Sequence, residues 1–264
     1  MTSPRQPDAD DPTIAARFRP LEPMASLDGG FLIPKEPPSA ETAEDGLPIP
    51  PESLWEGYGP TRAAYIKTGQ RDVVQMRTIL SASGITLPPG GRLLDFGCAA
   101  GRMLRCFRGQ ALEAWGVDIN ANHIAWCQQY LSPPFRFATT TTLPHVPFED
   151  RYFDLVYAGS VFTHVAELAD AWLLELKRVL RPGGALYATI HDQSTVDFFL
   201  TYSGEYPHPH LLRERILTLE RNEGLRVSDL AMYVFGRTLG TQVFYDLGYV
   251  RRKWGLHMLS LIHI

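Results

Sequence analysis

From Gly91 to Ile190, short apolar runs bounded by turn residues alternate with stretches whose apolar residues recur at helical spacing. Leu93 to Phe96, Glu113 to Ile119, Phe135 to Ala138, Phe153 to Ala158 and Ala185 to Ile190 read as strands. Arg102 to Phe107, Asn122 to Leu131 and Leu168 to Leu180 read as helices, and Pro182-Gly183-Gly184 stops the last of them. Such alternation builds βαβ units with right-handed crossovers. The predicted fold is therefore α/β, a doubly wound, mostly parallel sheet with helices on both faces. No internal repeat is visible.

The flanks differ in composition. Eleven of the 21 prolines fall in the first 51 residues, together with Asp8, Asp10, Asp11, Glu41, Glu44 and Asp45. Proline removes a backbone donor and blocks helix continuation, and so polar a mixture buries too little apolar surface to offset its ordering entropy. Residues 1–52 are read as an extended or disordered tail, with Phe31-Leu32-Ile33 as its one candidate docking cluster. Residues 53–84 read as a helical cap, since Val73, Met76, Ile79 and Leu80 recur at helical spacing and Gly84 is a stop. Trp55, Tyr58 and Tyr65 either cover a sheet edge or form a lid that touches ligand. The core domain is placed at 85–258.

Several classes are disfavoured. A net charge of -4 and a pI of about 6.1 give no basic face for nucleic acid. Cys98, Cys106 and Cys127 are too few for a disulfide scaffold and lack zinc-site spacing. His208-Pro209-His210, read as part of a Pro- and Tyr-rich loop, is a poor fit to a zinc site, so no metal is expected. No apolar run approaches the roughly 18 residues of a membrane helix. Charges and prolines stand where a signal peptide would need its apolar stretch. A cytoplasmic chain with no membrane partner is the expectation.

The most informative stretch is Asp95-Phe96-Gly97-Cys98-Ala99-Ala100-Gly101-Arg102, which runs strand, tight turn, helix. Gly97 and Gly101 permit a sharp turn and a close ligand approach. A dinucleotide turn would need glycines at 99 and 102, where Ala99 and Arg102 stand, and no P-loop is present. Asp118 closes the second strand 23 positions after Asp95. An acidic residue there is placed to accept hydrogen bonds from a ribose diol.

These residues resemble the class I S-adenosylmethionine-dependent methyltransferases, over about residues 85–195. Asp95 to Arg102 looks like the family's first motif, and Asp118 like its ribose-binding acid. Leu143-Pro144 with Phe148 through Val156, Ser160-Val161-Phe162-Thr163-His164-Val165, and Glu175 through Gly184 look like its later segments. The resemblance implies a Rossmann-like sheet and S-adenosyl-L-methionine as cofactor. Asp95, Gly97, Cys98, Ala99 and Gly101 would surround the methionine and ribose. Asp118 would hold the diol, and Ile119 would pack on the adenine. Gly159 and Ser160 would lie under the sulfonium. The acid often found after strand three is replaced by Thr139-Thr140-Thr141-Thr142, which leaves the adenine edge to Thr139, Thr140 or backbone. Arg102 would either pair with a carboxylate or be a solvated helix residue.

The expected function is methyl transfer to a small-molecule acceptor, at oxygen or nitrogen, by in-line displacement. Alignment does most of that work, and a base is needed only where the acceptor carries a proton to lose. His164 and His191, after strands four and five, are the candidates, with Asp192 as a possible orienter of His191. Asp192 to His210 reads as the cover of the acceptor pocket. The alternatives are a cofactor-binding module without activity and, third, a nicotinamide-dependent oxidoreductase. The oligomeric state is not legible. Asp229 to Phe235 and Thr241 to Tyr245 read as short or irregular elements, and no closing hairpin is evident. Leu259 to Ile264 matches a hexapeptide encoded by a common transposase-adapter end. Those residues are read as non-native, and the chain as cut short with strand five near an exposed edge.

Overall fold

In the computed structural model, which describes residues 41–205, 207–224, 226–236 and 241–258, five parallel strands pair side by side. They are β1 (Arg92–Phe96), β2 (Glu113–Asp118), β3 (Arg136–Thr139), β4 (Phe153–Ala158) and β5 (Leu180–Ala188). Their order is β3-β2-β1-β4-β5, so the winding reverses between β1 and β4. In an open sheet of this kind the ligand crevice lies beyond the carboxyl ends of the strands at that reversal.

Successive strand residues face opposite sides of a sheet, and both sides are covered here. Leu93, Leu155 and Tyr157 join a core with Val73 and Met76 of α1 (Arg62–Ala82) and Ile124 and Cys127 of α2 (Ala121–Tyr130). Leu94, Phe96, Val156 and Ala158 join another with Trp172, Leu173 and Leu176 of α3 (Ala169–Val179) and Trp254 of α6 (Leu247–Trp254). Between these two helices come α4 (Gln193–Thr201) and α5 (Pro207–Glu223), followed by β6 (Met232–Phe235) and β7 (Gln242–Tyr245). Val196, Phe199, Leu212, Ile216, Phe235 and Phe244 form a third, smaller core among them.

The structure corrects the sequence reading in five places. Residues 41–52 are not an extended tail: Leu47 is buried, Thr42 bridges to Pro48, and Asp45 grips Arg105 through two bonds of 2.6 and 2.8 Å. Residues 1–40, with Phe31-Leu32-Ile33, lie outside the described residues, as do 259–264. The cap helix begins at Arg62, not Ser53, because Gly57 and Gly59 hold left-handed backbone (φ 75° and 120°) and Thr61 then caps the helix through Ala64 N–H at 3.2 Å. After the glycine turn there is only a 3-10 turn, Leu104–Phe107, whose backbone closes by i to i+3 bonds such as Cys106 N–H to Met103 O. Strand β5 starts at Leu180, and Arg181 to Gly184 bulge out, since Phe153 pairs with Leu180 but Leu155 with Ala185. His208 to His210 lie on α5 rather than in a loop, with His210 bonded to Gly204 O at 2.7 Å.

A C-terminal hairpin is also present. β6 and β7 pair antiparallel as their own two-stranded sheet, and Phe244 of β7 bridges to His191, three residues past the end of β5. Strands of four residues are too short for alternation to announce them. No described helix is long and apolar enough to cross a membrane.

Candidate cofactor site

The glycine turn is folded back onto β2. Gly97 N–H and Cys98 N–H both donate to Val117 O, at 2.8 and 3.0 Å. That close pass requires Gly116, where a Cβ would stand 2.8 Å from Cys98 Sγ. Gly97 and Gly101 are left-handed (φ 80° and 74°), and Ala99 adopts the same region at φ 45°. The left-handed region costs an ordinary residue about 1–2 kcal/mol, so Ala99 holds a conformation that glycine would take freely. A side chain at Gly97 would also collide with Cγ2 of Val161. Gly97→Ala is accordingly expected to lose about 2–4 kcal/mol, from the φ penalty plus overpacking. Urea denaturation checks this, and an unchanged midpoint would contradict it.

Asp118 locks the turn to β2. Its Oδ2 accepts Ala99 N–H at 2.8 Å and its Oδ1 accepts Asn120 N–H at 2.8 Å. A carboxylate offers about four acceptor positions, so two remain for a diol. Asp95 is buried at the end of β1 and accepts the Tyr157 hydroxyl at 2.7 Å. Burial pushes its carboxyl up to about 7, even though the Tyr157 bond and the Arg102 charge pull the other way.

One cleft at the β1–β4 reversal is lined by Asp95, Gly97, Cys98, Ala99, Arg102, Met103 and Gly159, and across from them by Leu54, Trp55, Tyr58 and Tyr65. The open space inside is only about 30 Å³. Asp118 reaches this cleft through Ala99. The Cys98 thiol packs toward Cys127, and burial, first of all, pushes it well up. Gly101 is wedged under the neighbouring helix, where a Cβ would meet Leu131 Cδ1 at 2.6 Å. Arg102 is not a solvated helix residue: it lines the cleft and pairs with a carboxylate, that of Asp72. It is buried, bonds Asp72 at 2.8 Å, and lies 3.8 Å over the Tyr58 ring.

The remaining predicted residues stand around the rim. Ile119 is half-buried just past β2, and Thr139 is exposed at the end of β3. Thr140 is buried, donating its hydroxyl to His145 O at 3.1 Å and its N–H to Asp118 O at 2.9 Å. Ser160 holds φ 61° and donates its N–H to Thr189 Oγ1 at 2.6 Å. The two histidines do not line the cleft. His164 is exposed and its Nδ1–H donates to Thr241 O at 2.7 Å. His191 packs on Phe244, with ring centroids 5.1 Å apart. The Asp192 carboxylate caps α4, accepting Ser194 N–H and the Ser194 hydroxyl at 2.9 and 2.5 Å.

Sequence reasoning missed His123, Glu56 and Asp72. His123 is buried on α2 with its ring nitrogens 3.0 Å from Glu56 and 3.9 Å from Asp118. Its position five residues after Asp118, in the first turn of α2, was the available signal. Nothing in the sequence placed Glu56 opposite it.

The donor set fits a nucleoside cofactor: a carboxylate with spare acceptors, a left-handed turn that brings backbone close, and aromatic walls. Residues 94–188 match the family model described as "Methyltransferase domain", and the strand order, this turn and Asp118 agree with the class I S-adenosylmethionine-dependent arrangement expected from the sequence. The cofactor of such a domain is S-adenosylmethionine. Among curated relatives, a ubiquinone biosynthesis O-methyltransferase of Bradyrhizobium sp. (strain ORS 278) is 29% identical over 58% of this chain and 62% of its own length. The sterol 24-C-methyltransferase erg6 of Schizosaccharomyces pombe is 36% identical over 37% of this chain and 27% of its own. The solved PH0226 protein of Pyrococcus horikoshii OT3 is 19% identical, with a TM-score of 0.49, over 71% of this chain and 80% of that one. The chain thus spans less than two thirds of the length of these curated relatives.

Proposed function

We propose that the chain transfers a methyl group from S-adenosylmethionine to a small-molecule acceptor, at oxygen or nitrogen, by in-line displacement. The observation that carries this reading is Asp118, at the carboxyl end of β2 beside the reversal strand β1, bonded to the backbone of the glycine turn at 2.8 Å with acceptor capacity left over. The names of curated relatives, which include O- and C-methyltransferases of quinones and sterols, support a small-molecule acceptor. When bound, the cofactor supplies a methyl group already activated on a sulfonium. The chain's task is then to hold and align. Asp118 accepts the diol, the left-handed turn lets the backbone approach, and the cap walls exclude water. Where the acceptor must lose a proton, His164 or His191 takes it.

A second reading, a cofactor-binding module without activity, is favoured by one fact: neither histidine lines the cleft. Titration calorimetry with S-adenosylmethionine and S-adenosylhomocysteine, with NADH as control, comes first. Micromolar binding of the two sulfur compounds, weakened at least a hundredfold by Asp118→Ala, is the expected result. A folded chain that binds neither would overturn the reading. An acceptor screen follows on the intact chain. His164→Ala or His191→Ala should then lower turnover tenfold with cofactor affinity intact, and if neither does, the base is elsewhere.

A further inference from the structure

A short strap crosses the mouth of the cleft. It leaves a 3-10 turn at Glu52–Leu54, runs through Trp55, Glu56 and Tyr58, and ends at Gly59 before α1. Leu54, Trp55 and Tyr58 form one wall, facing Gly97, Ala99 and Gly159 on the other. With about 30 Å³ open between them, against the roughly 300 Å³ or more of ordinary ligand pockets, the strap as it lies narrows the way for a nucleoside.

The strap turns on left-handed backbone. Gly57 and Gly59 hold φ 75° and 120°, and Glu56 between the anchors holds φ 51°. A Cβ at Gly57 would meet nothing within 4 Å, so that side of the strap is open space. At one end Trp55 stacks on Tyr65, ring centroids 5.5 Å apart, and donates its indole N–H to Pro50 O at 2.8 Å. At the other end Tyr58 lies under Arg102.

Among the described residues, its middle is tied by one charge pair. The Glu56 carboxylate, half exposed, stands 3.0 Å from Nε2 of His123, whose side chain is only 3% exposed. The other ring nitrogen stands 3.9 Å from Asp118. Neither nitrogen makes a directed hydrogen bond, so the ring is held by charge from both sides. Half exposure screens the Glu56 share of this attraction relative to that of Asp118, which suits a catch that must open.

We propose that residues 54–59 are a lid latched by Glu56 on His123, and that cofactor enters and leaves only when that pair parts. This rests on the cofactor reading given above. Asp118 is shared between the latch histidine and the ribose diol, so the state of the lid and occupancy of the site are coupled through one carboxylate. His123 is in this sense a positioning residue, acting through Glu56 and Asp118.

The test compares the full wild-type chain with Glu56→Gln and Glu56→Asp, substitutions at a half-exposed side chain that leave the cores untouched. Hydrogen exchange without cofactor reads the latch, and stopped-flow release of S-adenosylhomocysteine reads the gate. Glu56→Gln should raise exchange at the amides of 55–59 about tenfold, leave β1 and β4 unchanged, and speed release at least fivefold. Glu56→Asp should restore part of both. Unchanged exchange in the strap would overturn the latch. Raised exchange with unchanged release would overturn the gating. A wild type that shows the exchange response but binds no S-adenosylhomocysteine would overturn the cofactor reading and the gating together, while the latch itself stood.

Discussion

Replacing Asp45 with alanine is expected to destabilise the chain by about 3–5 kcal/mol, the range for breaking a buried ion pair from one side. Arg105 is 1% exposed. Its guanidinium donates to both Asp45 carboxylate oxygens and also to Leu47 O at 2.9 Å and Pro48 O at 3.1 Å. Arg108 adds a further bond to Asp45 O. With Asp45 gone, the charge stays inside with only two carbonyls to meet it. Truncating both partners, as Asp45→Ala with Arg105→Met, should recover part of the loss, because no uncompensated charge remains. A urea double-mutant cycle reads this directly, and a single-mutant cost below about 1 kcal/mol would refute the buried-pair account. The pair also sets an acid limit. Burial pushes the Asp45 carboxyl up, but the Arg105 bonds and charge outweigh it, and the pKa ends below the ordinary value. Its contribution is therefore complete above the usual carboxylate pKa and is lost as acid protonates the group below it.

The second large effect runs in the opposite direction along the pH axis. Burial pulls His123 down, but the Asp118 and Glu56 carboxylates outweigh it and raise the pKa to about 9 from 6.5. These are the charged groups facing the ring, Asp118 from the end of β2 and Glu56 from the strap. A raised histidine contributes stability that is complete below the unfolded pKa and is lost as pH rises through the folded one. The chain should thus lose up to about 3 kcal/mol between roughly pH 6.5 and 9, at 1.36 kcal/mol per unit. His123→Asn should flatten that slope even where it lowers stability overall. Denaturant titrations at a series of pH values decide the matter, and a wild-type slope equal to that of the variant would refute it.

The parts legible in the sequence were those with a strong local signature. Glycines at 97 and 101 announced a left-handed turn, and the apolar runs of β1 and β4 announced buried parallel strands, because each position there is decided by its immediate neighbours. For Arg102 a carboxylate partner was one of two readings, but which carboxylate was not legible, since Asp72 lies on the cap helix and the ring of Tyr58 lies in the strap. The Asp45–Arg105 pair spans 60 positions in a segment whose proline content argued for disorder. Composition measures how little such a segment can bury by itself, and it says nothing about one carboxylate reaching a charge that waits in the core. Glu56 and His123 were missed for the same reason. Their proximity follows from where the Gly57 and Gly59 turns set the strap down, and no spacing rule connects two residues 67 positions apart.

The tie between Asp45 and Arg105 bears on how such a domain can be divided. The stretch that matches the family model begins at Leu94, and a boundary drawn there would look natural from its recurring motifs. Cut at that point, the remainder would keep Arg105 buried beneath the glycine turn with its counterion removed, and would lose the whole of one cleft wall. The piece that carries the motifs is therefore not a module that can be exchanged by itself. The forty or so residues before it, from the 41–52 segment through α1, would have to travel with it in any recombination that preserved the site.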